Sequence, residues 1–337
     1  MRSVGAEADS RAVVLFFRRF RRVGDHTMIS GGHLKVWHYF EHVEQSPTYR
    51  PILRTKDRPL DPDNPWSTRP DTVVGPRARV DPAVRFLAGT DWDELPPRRR
   101  ARPDRPVINL IQHIRHASDR DPRRAFLRFP AVRICVGPEV AEAIAATGEV
   151  RGPIITIPNA IDVAVDLSRP LEGRDIDIAV IGNKRPELTR EIAARLERGQ
   201  RRLQVIDGFV PRQVFLDVLA RARLAVFVPR LHEGFYLPAL EAMALGTPVV
   251  CPDAVGNRSF CIDGETCWFS PYDADALVAR AEAAAAADAA VVGRIRERAA
   301  AEAGRHDLAG EGRAFLAVLA DLPALWAAAT SAPTSPA

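Results

Sequence analysis

The stretch from Leu224 to Cys251 leaves few folds open. The apolar run Leu224-Ala-Val-Phe-Val228 reads as a buried strand, Gly234 permits a backbone angle that other residues resist, and Pro238 suits the first turn of a helix, where its missing N–H costs nothing. Gly246 follows as the helix C-cap, and Pro248 to Cys251 reads as a second buried parallel strand. Strand, turn, helix and strand make a βαβ unit, which places the chain in the α/β class.

Two carboxylates, Glu233 and Glu241, stand eight positions apart around that turn. The N–H groups of Gly234, Phe235, Tyr236 and Leu237, with the helix dipole behind them, form an anion site suited to a diphosphate. Glu241, one turn into the helix, can accept two hydrogen bonds from the vicinal hydroxyls of a ribose. Glu233, ahead of the turn, can face hydroxyls of a second sugar. A phosphate cradle between two diol acceptors matches a sugar nucleotide.

Glu233-Gly-Phe-Tyr-Leu-Pro and Glu241-Ala-Met-Ala-Leu-Gly-Thr-Pro-Val-Val resemble the E-x7-E signature of GT-B glycosyltransferases of the GT4 type. Ile157-Pro-Asn-Ala-Ile-Asp162 is similar to the IPNGID segment of that group, and Asp263-Gly264 to Pro271-Tyr-Asp273 to its DG segment. The resemblance covers roughly residues 105 to 285 and only loosely the first hundred. It implies two Rossmann-like domains facing a cleft, with a C-terminal helix crossing back to the first. It also implies a retaining, metal-independent enzyme that uses a nucleotide-diphosphate sugar and needs no other cofactor.

Composition agrees with a soluble globular chain: 337 residues, enough for two domains, with 46% hydrophobic and 27% charged residues. No apolar run approaches the ~18 residues of a membrane helix, and Ala12 to Phe17 lacks the length and cleavage pattern of a signal peptide. A cytoplasmic protein is expected, with the inner face of the membrane as an alternative. Cys135, Cys251, Cys261 and Cys267 have neither metal-binding spacing nor the density of a disulfide framework. The net charge of +4 suits an acidic partner. Arginine interleaves with phenylalanine in Arg18-Arg-Phe-Arg-Arg22, a pattern that can rest on a membrane surface or form a solvated face. No motif supports nucleic-acid binding.

Residues 1–165 are expected to form the acceptor-binding domain, 166–310 the sugar-nucleotide domain, 311–330 helices packing back, and 331–337 a disordered tail. Ser30-Gly31-Gly32 precedes a helical run from Leu34 to Val43, so it is either a ligand-facing glycine pair or a turn. The proline-rich stretch 47–82 excludes a long helix and reads as irregular, with a short strand at Thr72 to Val74. Asp91 and Trp92 follow the strand Ala83 to Ala88 and face the crevice as acceptor candidates; Asp91-x-Asp93 is not read as a metal site. After the strand Val107 to Ile111, the resemblance points to a histidine beside the transferred sugar. His113 is the closest match and His116 its competitor.

In the second domain, Ile176 to Ile181 leads to Gly182 and the helix Leu188 to Glu197. The family places an arginine after that glycine and a lysine further on, whereas this chain has Asn183 and Leu188 there. Lys184, Arg185 and Arg230 are the cations left to hold the diphosphate. Val255-Gly256 stands where a glycine pair is usual, and Ala274 to Ala303 is helical by propensity.

The resemblance further implies attack of an acceptor hydroxyl from the leaving-group face, with the departing diphosphate taking its proton, so no protein nucleophile is required. The acceptor would be a sugar, glycolipid or small molecule. The alternative is a catalytically silent GT-B subunit that binds or senses the sugar nucleotide. A sugar-nucleotide epimerase fits less well because such enzymes lack the E-x7-E turn, and a dinucleotide dehydrogenase because Gly182 belongs to no G-x-G-x-x-G.

Overall fold

The computed structural model describes residues 9–23, 26–57, 60–62 and 64–331. The first part of the chain runs β1 (Ala12–Phe17), a hairpin of β2 (Arg21–Val23) and β3 (His26–Met28), α1 (Gly31–Glu44), β4 (Tyr49–Arg54), β5 (Val73–Val74), β6 (Val84–Ala88), α2 (Pro97–Ala101), β7 (Val107–Ile111), β8 (Val132–Cys135), α3 (Pro138–Ala145) and β9 (Ile154–Thr156). Its seven parallel strands lie in the order β5-β4-β1-β6-β7-β8-β9. Strands β6, β7 and β8 are buried along their whole length because helices or loops cover both faces, and only Arg85, Asn109 and Arg133 interrupt their apolar runs.

Strand β4 falls in the stretch read as irregular, and it contains Pro51. Pro51 lies opposite Val14 of β1, and the alternation of the ladder turns its nitrogen toward β5. Strand β5 pairs only with Leu53 and Arg54, so no ladder bond is lost at the proline.

The second sheet is built from β10 (Ile178–Ile181), α4 (Pro186–Glu197), β11 (Leu203–Ile206), α5 (Arg212–Arg221), β12 (Ala225–Phe227), α6 (Leu237–Ala244), β13 (Val249–Pro252), β14 (Trp268–Ser270) and α7 (Ala274–Ala285). All pairs are parallel, in the order β11-β10-β12-β13-β14. The chain reverses direction across the sheet at β1 in the first domain and at β10 in the second, and in such sheets ligands bind beyond the carboxyl ends of those strands.

The alanine-rich segment is two helices, α7 and α8 (Ala289–Gly304), broken at residues 286–288. Helices α9 (Leu308–Ala320) and α10 (Leu322–Ser331) return to the first domain. Phe315 meets Tyr39 edge-on at 4.8 Å, and buried Glu311 accepts from Lys35 Nζ at 2.5 Å, His42 Nε2 at 3.0 Å and the Ala160 N–H at 3.0 Å. One carboxylate thus ties α9 to α1 and to the linker between the domains. Burial alone would push its carboxyl up, but Lys35, His42 and Ala160 hold it down to about 2. Ser331 closes α10, and the rest of the expected tail, 332–337, lies outside the described residues.

No single helix among the described residues is long and apolar enough to cross a membrane. The membrane reading of Arg18–Arg22 is not supported by side-chain placement. Phe20 is buried against His33 and Trp66, while Arg18 and Arg19 pair with Asp91 and Glu94. The aromatic ring points inward, so the run makes no apolar outer face.

Candidate functional site

The domains meet where Gly234 lies on the backbone after β7. A Cβ on Gly234 would stand 1.9 Å from the Gln112 carbonyl oxygen and 2.8 Å from His113 Cα. Gly256 stacks on the other side, where a Cβ would come within 2.5 Å of the Gly234 carbonyl. Both glycines are therefore required by close backbone approach.

The turn is tighter than four free N–H groups would allow. Tyr236 donates to the Gly256 carbonyl at 2.9 Å and Leu237 to the Phe235 carbonyl at 3.1 Å, which takes two of the four expected anion donors. The Phe235 ring packs on Phe260 and His306, and the buried Tyr236 ring packs on Phe227. Both side chains belong to the core, so any donor contact from these residues is through backbone.

Glu233 is 5% exposed. Its Oε2 accepts from Lys184 Nζ at 2.7 Å and its Oε1 from the Arg230 N–H at 3.1 Å. A carboxylate has about four acceptor positions, so hydroxyls can still be bound. Arg230 is exposed at the end of the β12 loop, and Arg185 lies over the Tyr272 ring at 5.8 Å. Gly182 serves packing: a Cβ there would stand 2.0 Å from Thr189 Oγ1.

Glu241 is buried, and its partner was not legible from local pattern. Arg212, at the start of α5, donates to Glu241 Oε1 at 2.6 Å and also pairs with Asp162 of the interdomain linker. Burial raises the Glu241 carboxyl, and Arg212 opposes that. Asp162, the last residue of the segment similar to IPNGID, is the outer end of this chain of charges. The missed signal was a short amphipathic run after Pro211 that opens with an arginine.

On the first-domain side, Ser30 caps α1 through its hydroxyl, and a Cβ on Gly31 would lie 3.9 Å from Leu237 Cδ1 across the cleft. A Cβ on Gly32 would strike Gln112 Oε1 at 2.7 Å, and Gln112 Nε2 donates to the Gly32 carbonyl at 3.3 Å. His113 Nδ1 accepts the Arg115 N–H at 3.1 Å. The neutral ring therefore carries its proton on Nε2. Burial, then Arg115, Arg123 and Lys184, hold its pKa down to about 4, so it is an uncharged donor at neutral pH. His113 and Gly32 line a cleft of ≈ 130 Å³ together with Arg18, His116 and Arg123. His116 is 2% exposed, which leaves His113 as the more accessible ring.

Two acceptor-side expectations need revision. Trp92 is fully buried between Phe126 and Phe129 and beneath Arg133, out of reach of any ligand. Asp91 is engaged by Arg18 Nη2 at 2.6 Å and by the Ala88 N–H at 2.9 Å. Burial raises its pKa to about 6 against the pull of Arg18. Asp93 instead faces Arg100 at 3.2 Å, so the two aspartates do not converge.

The family described as Glycosyl transferases group 1 matches residues 143–290. MMP alpha-(1->4)-mannosyltransferase of Mycolicibacterium hassiacum is 32% identical over 146 residues, 39% of this chain and 34% of its own length. D-inositol 3-phosphate glycosyltransferase of Nocardia farcinica is 29% identical over 191 residues, 49% of this chain and 41% of its own. The chain therefore covers less than half the length of these curated relatives. Sucrose-phosphate synthase from Thermosynechococcus elongatus superposes with a TM-score of 0.69 at 16% identity, covering 93% of this chain and 100% of the other. Anabaena HepE, solved in complex with UDP-glucose, gives 0.64 at 14% identity over 92% and 99%. At such identities the structures bear on fold, while the family match bears on the second half. The chain has the GT-B fold of these structures, and its residues 143–290 match the family described as Glycosyl transferases group 1.

Proposed function

We propose that this protein transfers a sugar from a nucleotide-diphosphate sugar to an acceptor hydroxyl with retention of configuration. One observation carries the reading: Gly234 packs directly on Gln112 and His113, which brings Lys184 within electrostatic reach of His113, and Arg230 and Glu233 within reach of Arg115. The diphosphate would lie at the Gly234–Phe235 backbone, with Lys184 and Arg230 beside it. Positive charge there stabilises the leaving group as the bond from C1 to the diphosphate breaks. Glu241 would hold the ribose, and Glu233 the transferred sugar. His113 would donate from Nε2 to a sugar hydroxyl.

The acceptor oxygen bonds to C1 from the side the diphosphate leaves, and its proton passes to the departing phosphate oxygen. No side chain forms a covalent intermediate in this scheme, and no metal is invoked. The relatives' mannosyltransferase and UDP-glucose chemistry sets the choice of first donors.

Calorimetry with UDP-glucose, GDP-mannose and other nucleotide sugars, followed by chromatography of donor cleavage with and without sugar acceptors, tests the reading. Binding with cleavage is the expected result. Binding without cleavage under any acceptor points to the silent subunit, and no binding to any donor overturns both.

A further inference from the structure

A second cavity of ≈ 100 Å³ opens beyond the carboxyl ends of β1, β4 and β6, lined by Arg18, Arg19, Arg54, Lys56, Asp91 and Glu94 among others. Its two carboxylates are already matched: Asp91 with Arg18, and Glu94 with Arg19. Arg54 and Lys56 have no acidic partner among the described residues. Arg54 Nη2 donates to the Ala78 carbonyl at 2.9 Å, and its guanidinium lies 5.8 Å from the Phe17 ring centroid, which fixes the head group. The Nε atoms of Arg54 and Arg18 are buried without a hydrogen-bond acceptor. Those atoms are closed to solvent, so it is the cationic heads of Arg54 and Lys56, with Arg18 and Arg19, that leave the cavity positive and favour an anion with several acceptor oxygens.

This cavity adjoins the one lined by His113, because Arg18 lines both. A molecule anchored on Arg54 and Lys56 can therefore extend past Arg18 to the reaction cleft. We propose that the acceptor bears a phosphate group, and that this group is bound by the cationic heads of Arg54 and Lys56 beside Arg18. The word acceptor rests on the glycosyltransferase reading; the phosphate site does not.

The test is a titration of inorganic phosphate into the full chain saturated with whichever nucleoside diphosphate binds, so that the donor site is filled. The comparison is with the Arg54→Gln/Lys56→Gln variant, using acetate as a carboxylate control. Phosphate should bind better than acetate, and the double variant should weaken it at least tenfold, about 1.4 kcal/mol, with nucleotide affinity unchanged. A loss under tenfold, or acetate binding as well as phosphate, overturns the proposal. Should the double variant not fold, Lys56→Gln alone, at an exposed position without a protein partner, must still lose at least threefold; a smaller loss overturns the proposal equally.

Vesicles containing phosphatidic acid distinguish the source. Capture that depends on Arg54 and Lys56 places the phosphate on a lipid, and none places it on a soluble ester. If no nucleoside diphosphate binds while phosphate still depends on Arg54 and Lys56, the glycosyltransferase reading fails and the phosphate site stands.

Discussion

Lys184 Nζ lies 2.7 Å from Glu233 Oε2, so the cation displaced from the usual family position is held in place by the first glutamate of the turn. Lys184 is half-exposed while Glu233 is almost fully buried, so the carboxylate is the anchor and the ammonium the mobile partner.

Separating the two gives different losses. Lys184→Ala is expected to weaken donor binding about tenfold to a hundredfold, since a charged hydrogen bond is worth ~1.5–3 kcal/mol. Glu233→Ala should mainly lower kcat, with a smaller change in KM. Steady-state kinetics on both variants checks the split; equal effects on kcat and KM in each would contradict the assigned roles.

The Arg212–Glu241 pair should be more costly to break. Removing Arg212 leaves Glu241 buried without its cation, a change that costs ~3–5 kcal/mol for a fully buried pair. Arg212 is 36% exposed, so about 2 kcal/mol is expected for Arg212→Ala in denaturant unfolding. Its loss also lets burial push the Glu241 carboxyl further up. Nucleotide affinity, compared at pH 8 and pH 6, should then fall more on acidification in the variant than in the wild type. Calorimetry at the two pH values reads this directly.

Gly234→Ala places a methyl 1.9 Å from the Gln112 carbonyl, and both neighbours are backbone that cannot rotate away. The domains must separate or the turn must move. Turnover should fall about a hundredfold or more, as it does when reacting groups shift by ~1 Å. Helical content by circular dichroism should stay unchanged, because the clash lies between domains.

His38 and His116 set an acid limit. Both are buried, and burial first, aided by neighbouring cations, lowers each to about 3. The folded protein keeps them neutral while the unfolded chain takes up protons below pH 6.5, so the unfolded state binds more protons as pH falls. Stability is therefore intact above pH 6.5 and is lost between there and about 3, at ~1.4 kcal/mol per pH unit for each ring. Denaturant midpoints from pH 6.5 to 4.5 should show that slope, and His116→Gln should reduce it by about half.

The strand-turn-helix unit at residues 224–251 was legible because continuous apolar strands, Gly234, Pro238 and Gly246 are local signals. Strand β4 was not, since Pro51 is tolerated there only through a register that depends on how far β5 extends. Trp92 was misplaced for a related reason: position after a strand gives an approximate place, while packing against Phe126 and Phe129 decides which way the ring turns.

Sequence by itself determined the α/β units, the spacing of Glu233 and Glu241, and the absence of the usual cations at Asn183 and Leu188. Tertiary structure alone decided the partners. Arg212 reaches Glu241 from 29 residues away, Lys184 reaches Glu233 from 49, and Glu311 reaches Lys35 from 276. Local patterns fix how a segment folds because they act within a few residues; a buried charge chooses its counter-charge only after the domains have packed and water has left.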